Sequence, residues 1–377
     1  MYSSTPDRLG PRQATHACKL PAKRGAYLTE GFSSTSTFIK TIGVTKAAVI
    51  FIDFPDTPAT DTVQSLYDNL LPGGAQFFNI SSYGQMQLEA VSDMKFHRMP
   101  QASTGYRWDR ETFSGTSQLR YIKDAIAAAG GGTPYTGCEV LYIIPTRAAR
   151  SIGFSPTSMG AATLGDGTQV KSVVTFGQDQ WSWGYGVLNH ETGHTMGLPD
   201  LYPMDSAGRP TEYYVGGWDL MGLISGTSPD FFAWHKWKLG WIEDDQVACI
   251  GTKGTSSFTI SPIERAEGIK AVAVRVSDTK AIVMEVRSKE GLSTDSCTVG
   301  LLLYSVDTEA ESGTGPVRVL NTKPSSRGCS PSKGGELTSA AYDFAKAETK
   351  IGVAANGISV QITGVQNGEY RVSVTWQ

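Results

Sequence analysis

The sequence has few charged residues, few histidines and no long apolar run. These scarcities limit the classes of protein to which the chain can belong. Charged residues make up 18% of its 377 residues and the formal net charge is -3, which gives no basic surface of the kind that binds nucleic acid. No apolar run reaches the roughly 18 residues that span a bilayer, and the first residues lack the apolar core of a signal peptide. We therefore expect no nucleic-acid partner and no membrane span. The chain is either intracellular or secreted, with its signal peptide not present in this sequence.

Cysteine is also sparse, and its spacing excludes a cysteine-rich metal cluster. The five cysteines are Cys18, Cys138, Cys249, Cys297 and Cys329. None forms a C-x-x-C pair, so the pattern permits two disulfides with one thiol left over. Cys297 and Cys329 flank a loop rich in Gly, Ser and Pro and are the preferred pair. Five buried, reduced thiols are the alternative.

Glycine and tryptophan are abundant by comparison. The chain has 42 glycines, 8 tryptophans and a hydrophobic fraction of 40%, a composition typical of an ordered, loop-rich globular protein. Its length exceeds that of one usual compact domain. We predict an α+β protein with an N-terminal extension over residues 1–43, a mixed domain with sheet and helices over 44–243, and an all-β, sandwich-like domain over 244–377.

Hydrophobic periodicity places the main elements. The predicted elements are buried strands over 46–56 and 138–145, an amphipathic helix over 117–130, helical spacing broken at Pro72-Gly73-Gly74 over 62–85, an exposed edge strand over 168–177 and an aromatic helix over 230–241. An exposed edge strand can pair with an extended peptide. The rest of the chain is mostly short alternating strands, with a hairpin turn at Asn367-Gly368.

His190 and His194 give the strongest chemical signal. They are two of only five histidines and lie four residues apart, so a helix places both imidazoles on one face about 6 Å apart along its axis. That separation suits two ligands of one tetrahedral zinc ion. Glu191 turns about 100° away on the same helix, where it can take a proton from a zinc-bound water. An isolated histidine pair is often two satisfied side chains, but the full pattern H-E-x-x-H-x-x-G-x-x-D rarely arises by accident.

A catalytic zinc also needs a third protein ligand and an open position for water. Gly197 can adopt a left-handed backbone that ends the helix, and Pro199 is a poor continuer, so the chain can turn back and bring Asp200 to the metal. Glu212 is an alternative third ligand further downstream. That alternative leaves Gly197 and Asp200 without a role.

Three segments together resemble a known family. "HETGHTMGLPDLY" from His190, "GGWDLMG" at 216–222 and "AWHKWKLGW" at 233–241 are similar to the M6, immune-inhibitor-A-like metallopeptidases, which belong with the metzincins. The resemblance runs from about Val49 to Trp241. It implies a metzincin-like catalytic domain with an active-site helix and a Met-turn, followed by the β-rich domain.

The resemblance also assigns roles to residues. It implies zinc bound by His190, His194 and Asp200, Glu191 as general base and acid, and Met221 beneath the metal as a packing residue. The implied activity is that of a secreted, extracellular zinc metalloendopeptidase that acts on protein or peptide substrates, and we expect a monomer.

The chain departs from the family pattern at one position. Some metzincins have a tyrosine two residues after the Met-turn methionine, whereas this chain has Leu223 there. Tyr213 or Tyr214 is the candidate oxyanion stabiliser instead, although either can be an ordinary surface ring.

Two further features of the family have candidate residues. Calcium is found in some members, and Asp53, Asp56 and Asp61 are candidate ligands, but turn acids are usually just solvated and calcium is not assigned. Cys18 either blocks the zinc as a latency thiolate or, preferably, forms a disulfide with the β-rich region.

Two other functions remain open from the sequence. One is a non-catalytic adhesion or ligand-binding protein whose zinc site is vestigial or structural. The other is a peptidase restricted to chain ends.

Overall fold

The computed structural model describes residues 16–33, 36–108, 110–204, 206–321, 328–329 and 334–377. Over these residues the chain is a mixed α+β protein with three main sheets and few helices. The helices are α1 (Val63–Ser81), α2 (Gly115–Ala129), α3 (Gln180–Trp183), α4 (Tyr185–Thr195) and α5 (Ala233–Lys238). None of these described helices is both long and apolar enough to cross a membrane.

The first sheet has six strands in the order β2-β1-β4-β8-β5, with β3 also beside β1. Its strands are β1 (Gly43–Asp53), β2 (Met86–Val91), β3 (Phe96–Arg98), β4 (Cys138–Pro145), β5 (Thr157–Ser158) and β8 (Ser172–Thr175). All pairings are parallel except that of β5 with β8. The two predicted buried strands, β1 and β4, lie side by side inside the sheet, which confirms both as buried strands. β6 (Ala162–Thr163) and β7 (Gln169–Val170) form a separate small sheet.

The prediction of an exposed edge strand over 168–177 is wrong. β8 is buried along its whole length and pairs with β4 on one side and β5 on the other. Thr175 looks polar in the pattern, but its hydroxyl is satisfied inside the protein by the carbonyl oxygen of Pro156 at 2.9 Å. The edge of this sheet is β5, which among the described strands pairs only with β8.

Helix α1 runs without a break through Pro72-Gly73-Gly74, so the predicted interruption is also wrong. Pro72 lies on the exposed face. The two glycines allow α4 to approach: a Cβ at Gly73 would lie 2.3 Å from the Tyr185 ring, and one at Gly74 would lie 2.8 Å from Leu188. The glycines therefore make a contact surface between helices rather than a turn.

The chain after residue 246 is rich in strands, as predicted. The strands are β9 (Val247–Ile250), β10 (Gly254–Ile260), β11 (Ala271–Arg275), β12 (Lys280–Arg287), β13 (Gly300–Asp307), β14 (Val317–Val319), β15 (Lys350–Val353), β16 (Ile358–Gln366) and β17 (Glu369–Trp376). They form a five-stranded sheet, β14-β13-β12-β11-β9, and a four-stranded antiparallel sheet, β10-β17-β16-β15. Asn367 and Gly368 join β16 to β17 with φ of 54° and 80°, which confirms the predicted hairpin turn.

The five-stranded sheet has a buried surface on both faces. Val272 and Met284 belong to the core shared with the four-stranded sheet. Ala273 and Val283 belong instead to a core that continues into α1, α4 and α5. One hydrophobic core therefore crosses the predicted boundary at residue 244, while the domain limits themselves stay a prediction.

Two disulfides form among the five cysteines. Cys297 pairs with Cys329, which confirms the preferred pair, and Cys18 pairs with Cys249 in β9. Cys138 is a buried free thiol. Because Cys18 is bonded and fully buried, it does not supply a thiolate to the metal site, and the latency hypothesis is wrong for this structure.

Candidate metal centre

Helix α4 presents His190 and His194 on one face. Their ring centroids lie 4.9 Å apart, and the residues are only 4% and 8% exposed. Nδ1 of His190 lies 3.0 Å from the carbonyl oxygen of Leu220, and Nδ1 of His194 lies 2.8 Å from that of Leu198. A carbonyl oxygen only accepts, so in the neutral imidazoles Nδ1 carries the proton and Nε2 keeps a lone pair for a metal ion.

The chain turns at Gly197 and brings Asp200 back to these rings. Gly197 has a left-handed φ of 93°, and a Cβ there would lie 2.7 Å from the Phe38 ring, so both conformation and space require glycine. Oδ1 of Asp200 lies 3.2 Å from Nε2 of His190 and 3.3 Å from Nε2 of His194. The structure thus brings together the three residues that the sequence assigns as ligands.

The spacing of these donor atoms is compatible with one bound metal ion. Bonds of about 2.0–2.1 Å in a tetrahedron separate neighbouring donors by about 3.3 Å, and the Asp200 oxygen lies at 3.2 and 3.3 Å from the two nitrogens. In the described part of the chain, the group of side chains able to hold a metal ion comprises His190, Glu191 and His194, whose donor atoms all lie within 4.8 Å of one another. A possible metal site is therefore present, with Asp200 in contact with both imidazoles.

In the protein without a bound metal, Asp200 and His194 stabilise each other's charged forms. Burial lowers the pKa of His194, but the Asp200 carboxylate outweighs it and raises that pKa to about 9. Burial raises the pKa of Asp200, yet the histidine charge and hydrogen bonds hold it well below its usual range. The site is therefore built to contain an anionic carboxylate facing positive charge, which is also what a divalent cation requires.

Glu191 lies next to the histidines and is held by a hydroxyl group. Oγ1 of Thr157, in β5, donates to Oε2 of Glu191 at 2.7 Å. Burial raises the pKa of Glu191 above its ordinary value, and the two histidines and Thr157 offset part of that rise. The carboxyl group is thus oriented and shielded from solvent, as a proton-transfer group needs to be.

Met221 packs against helix α4. A Cβ at Gly193, between the two histidines, would lie 2.6 Å from the Met221 sulfur. The turn that carries Met221 is fixed by Asp219, whose Oδ1 accepts from the Met221 backbone at 2.8 Å and whose Oδ2 accepts from the Phe232 backbone at 2.6 Å. Met221 therefore supports the helix from below through packing.

The structure does not bring Tyr213 or Tyr214 to the cleft beside the histidines. Tyr213 is 48% exposed, and its ring lies under the Arg209 guanidinium at 5.0 Å. Tyr214 is buried against Arg318, 4.2 Å away. The sequence gave no information about where either side chain points. In the structure each ring packs against an arginine.

Tyr202 is the tyrosine at the site, and the sequence interpretation missed it. Its ring centroid lies 6.0 Å from that of His190, and its side chain lines the same cleft as Asp200. The only available signal was its position two residues after Asp200. Glu212, the alternative third ligand, lines the same cleft but is not part of the metal-capable group found among the described residues.

The candidate calcium acids do not converge. Each of Asp53, Asp56 and Asp61 accepts hydrogen bonds from its own protein donors. Those donors are the Arg98 guanidinium, the Ser103 backbone and hydroxyl, and the Thr146 hydroxyl with the Arg147 backbone. Their carboxylates are therefore satisfied by protein groups in the turns after β1.

The metal-capable group lies in a cleft of about 840 Å³. Polar side chains line it together with the apolar side chains of Leu28, Phe154 and Ile224. Trp183 and Met204 stand at its mouth with 47% and 56% of their surface exposed. No protein-family model and no curated protein matches this chain, so the centre is interpreted from its own geometry.

Proposed function

We propose that the protein is a secreted zinc-dependent metalloendopeptidase, with His190, His194 and Asp200 as zinc ligands and Glu191 as general base and acid. The observation that carries the proposal is the position of Glu191, whose carboxylate lies within 4.8 Å of both histidine donors in an open cleft. A structural zinc site is closed and needs no such base. The active-site helix α4 and the turn at Met221 also support a metzincin-like catalytic domain.

The residues divide the chemistry of peptide hydrolysis between them. Zinc, when bound, supplies a polarised scissile carbonyl and a water molecule of lowered pKa. Glu191 accepts a proton as the water oxygen attacks the carbonyl carbon, and it returns that proton to the amine when the C–N bond breaks. Thr157 keeps Oε2 of Glu191 in place, which leaves Oε1 for the proton transfer.

The cleft supports an extended peptide as substrate. β5 is one of the two edge strands in the order of the first sheet, and its Thr157 already contacts Glu191, so a peptide that pairs with β5 would pass directly over the base. The apolar walls and the exposed Trp183 and Met204 favour substrates with large apolar side chains beside the cut. The sequence predicted that an edge strand over residues 168–177 would pair with an extended peptide. In this proposal β5 pairs with the peptide instead.

The two disulfides support an extracellular location. Bonds such as Cys18–Cys249 and Cys297–Cys329 form and persist in oxidising compartments and are rare in the cytosol. A peptidase acting outside the cell is the function most consistent with them.

The decisive experiment is mass-spectrometric mapping of products from a mixed peptide library. Wild type, Glu191→Ala and a chelator-treated sample are compared, with zinc content measured in each. We expect internal cuts from the untreated wild type alone, while Glu191→Ala retains its fold and its zinc.

Other results would replace this proposal. Retained cleavage by Glu191→Ala would show that Glu191 is not the base. Cuts confined to chain ends would indicate an exopeptidase. No cleavage by zinc-loaded wild type, together with binding of a surface glycan or protein, would favour an adhesion protein with a structural zinc site.

A further inference from the structure

The loop between β13 and β14, over residues 308–316, reaches across to the metal centre and contacts Asp200. The Asp200 backbone N–H donates to Oγ of Ser312 at 2.9 Å, and that hydroxyl donates to Oδ2 of Asp200 at 3.2 Å. The Gly313 N–H donates to the Asp200 carbonyl at 2.9 Å. Two consecutive loop residues therefore bind three different groups of one aspartate; we call Ser312 and Gly313 the aspartate clamp.

The clamp gives the two carboxylate oxygens of Asp200 different surroundings. Oδ2 is held by Ser312, and Oδ1 faces the imidazoles of His190 and His194 at 3.2 and 3.3 Å. A free carboxylate can rotate and offer either oxygen, or both, to a cation. Holding one oxygen fixes the other in the position of a single-oxygen ligand, which lowers the entropy cost of binding metal.

The loop that carries the clamp also contacts other segments of the chain. The backbone N–H of Thr308 donates to the Thr279 carbonyl at 2.9 Å, and Lys23 of the N-terminal segment forms an ion pair with Glu311 at 3.0 Å. Gly313 has φ of 76°, and a Cβ there would lie 2.5 Å from Met204. Only glycine can occupy this close approach to the cleft.

We propose that Ser312 is a positioning residue for the third metal ligand, and that the C-terminal β-rich region thereby completes the metal centre. The proposal rests on Asp200 being a ligand, as in the proposed function, but not on any peptidase activity. It gives the β-rich region a direct part in metal binding instead of a separate binding task.

Zinc affinity of the full chain tests the proposal without using catalysis. The dissociation constant for Zn²⁺ is measured by competition with a chromogenic chelator for wild type, Ser312→Ala, Ser312→Thr and Ser312→Val. Losing a group that orients a ligand typically weakens metal binding about 10- to 100-fold, and we expect that loss for the Ala and Val variants. Thr and Val differ chiefly by the hydroxyl, so Ser312→Thr should stay within about threefold of wild type if the hydroxyl is what matters.

Matched controls separate the clamp from the fold and from the metal site. Thr314→Ala removes an exposed hydroxyl of the same loop, which donates to the Glu311 carbonyl, and it should leave zinc affinity unchanged. Asp200→Ala should abolish tight binding. Circular dichroism and thermal melting with and without zinc show whether each variant is folded.

Three outcomes overturn the proposal. Wild-type affinity in Ser312→Val, with binding lost in Asp200→Ala, would leave Asp200 as a ligand but remove the positioning role of Ser312. Equal losses in the Thr and Val variants would show that packing, and not the hydroxyl, is responsible. Unchanged affinity in Asp200→Ala would instead refute the metal centre on which the proposed function depends.

Discussion

At the scale of single residues, a hydroxyl group holds one oxygen of each of two carboxylates, those of Glu191 and Asp200. Thr157 donates to Oε2 of Glu191 at 2.7 Å, and Ser312 donates to Oδ2 of Asp200 at 3.2 Å. In each case one carboxylate oxygen is bound to the protein and the other is left for a proton or a cation. Under the proposed function the two hydroxyls therefore have different tasks: Thr157 orients the proposed base, and Ser312 orients the proposed metal ligand.

Replacing Thr157 should impair turnover and spare metal binding. A hydrogen bond to a charged group is worth about 1.5–3 kcal/mol, so Thr157→Val should lower kcat about 10-fold or more. KM and zinc content should change little, because Thr157 does not contact the ligands. The measurement is steady-state kinetics on a peptide taken from the library, with zinc stoichiometry. Thr157→Ser keeps the hydroxyl and should recover most of the rate; an equal loss in both variants would argue against a positioning role.

At the scale of elements, α5 fixes the turn beneath the metal site through one buried histidine. Nε2 of His235 lies 3.0 Å from Glu30, and its Nδ1 lies 2.9 Å from Asp219, with all three side chains fully buried. Asp219 in turn binds the backbone of Met221. A single imidazolium thus links the N-terminal segment, α5 and the Met221 turn.

The stability of the protein should depend on pH through His235. Burial lowers its pKa, but Asp219 and Glu30 raise it to about 10. Since the folded-state pKa lies above the unfolded value of about 6.5, the stabilisation is complete below pH about 6.5 and is lost as pH rises towards about 10. We expect the free energy of unfolding from urea titrations to fall across that range.

A variant isolates the contribution of His235 from that of other groups. His235→Gln leaves two buried carboxylates without a cation and should cost about 3–5 kcal/mol at neutral pH. Its stability should then vary less with pH than that of wild type. His97→Gln, at a half-buried histidine in β3, is the control. If the free energy of unfolding changed equally with pH in His235→Gln and wild type, His235 would not be the source of the pH dependence.

The features that sequence predicted are those determined by neighbours along the chain. Continuous apolar runs identified β1 and β4, and the four-residue spacing of His190 and His194 fixed one face of α4 because a helix makes that geometry local. The turn at Gly197 followed from backbone conformation alone. Asp200 became the candidate third ligand because this turn brings the chain back towards the two histidines.

The features it missed are set by contacts between distant segments. Ser312 lies 112 residues from Asp200, and Thr157 lies 34 residues from Glu191, so no spacing pattern relates them. Gly73 and Gly74 have the composition of a turn, and only the packing of α4 shows that they serve helix contact instead. β8 alternates like an exposed strand, yet β5 covers its edge.

At the scale of the whole molecule, the parts of the chain before and after residue 244 share structure at three places. One core passes from α1 and α4 to the five-stranded sheet, the Cys18–Cys249 disulfide joins residues 231 positions apart, and the aspartate clamp reaches from the β-rich region to Asp200. Separate domains normally meet through smaller, more polar contacts. The two regions should therefore depend on each other for stability.

Calorimetry of the full chain should show this dependence as one unfolding transition, with a calorimetric enthalpy equal to the van't Hoff enthalpy. Under the proposed function zinc binds only the folded chain, so it should raise the midpoint of that whole transition, because the proposed ligand Asp200 is held by the β-rich region. Glu191→Ala should unfold in the same way, which separates cooperativity from activity. Two resolved transitions, only one of them shifted by zinc, would show that the regions unfold independently and would support a domain boundary near residue 244.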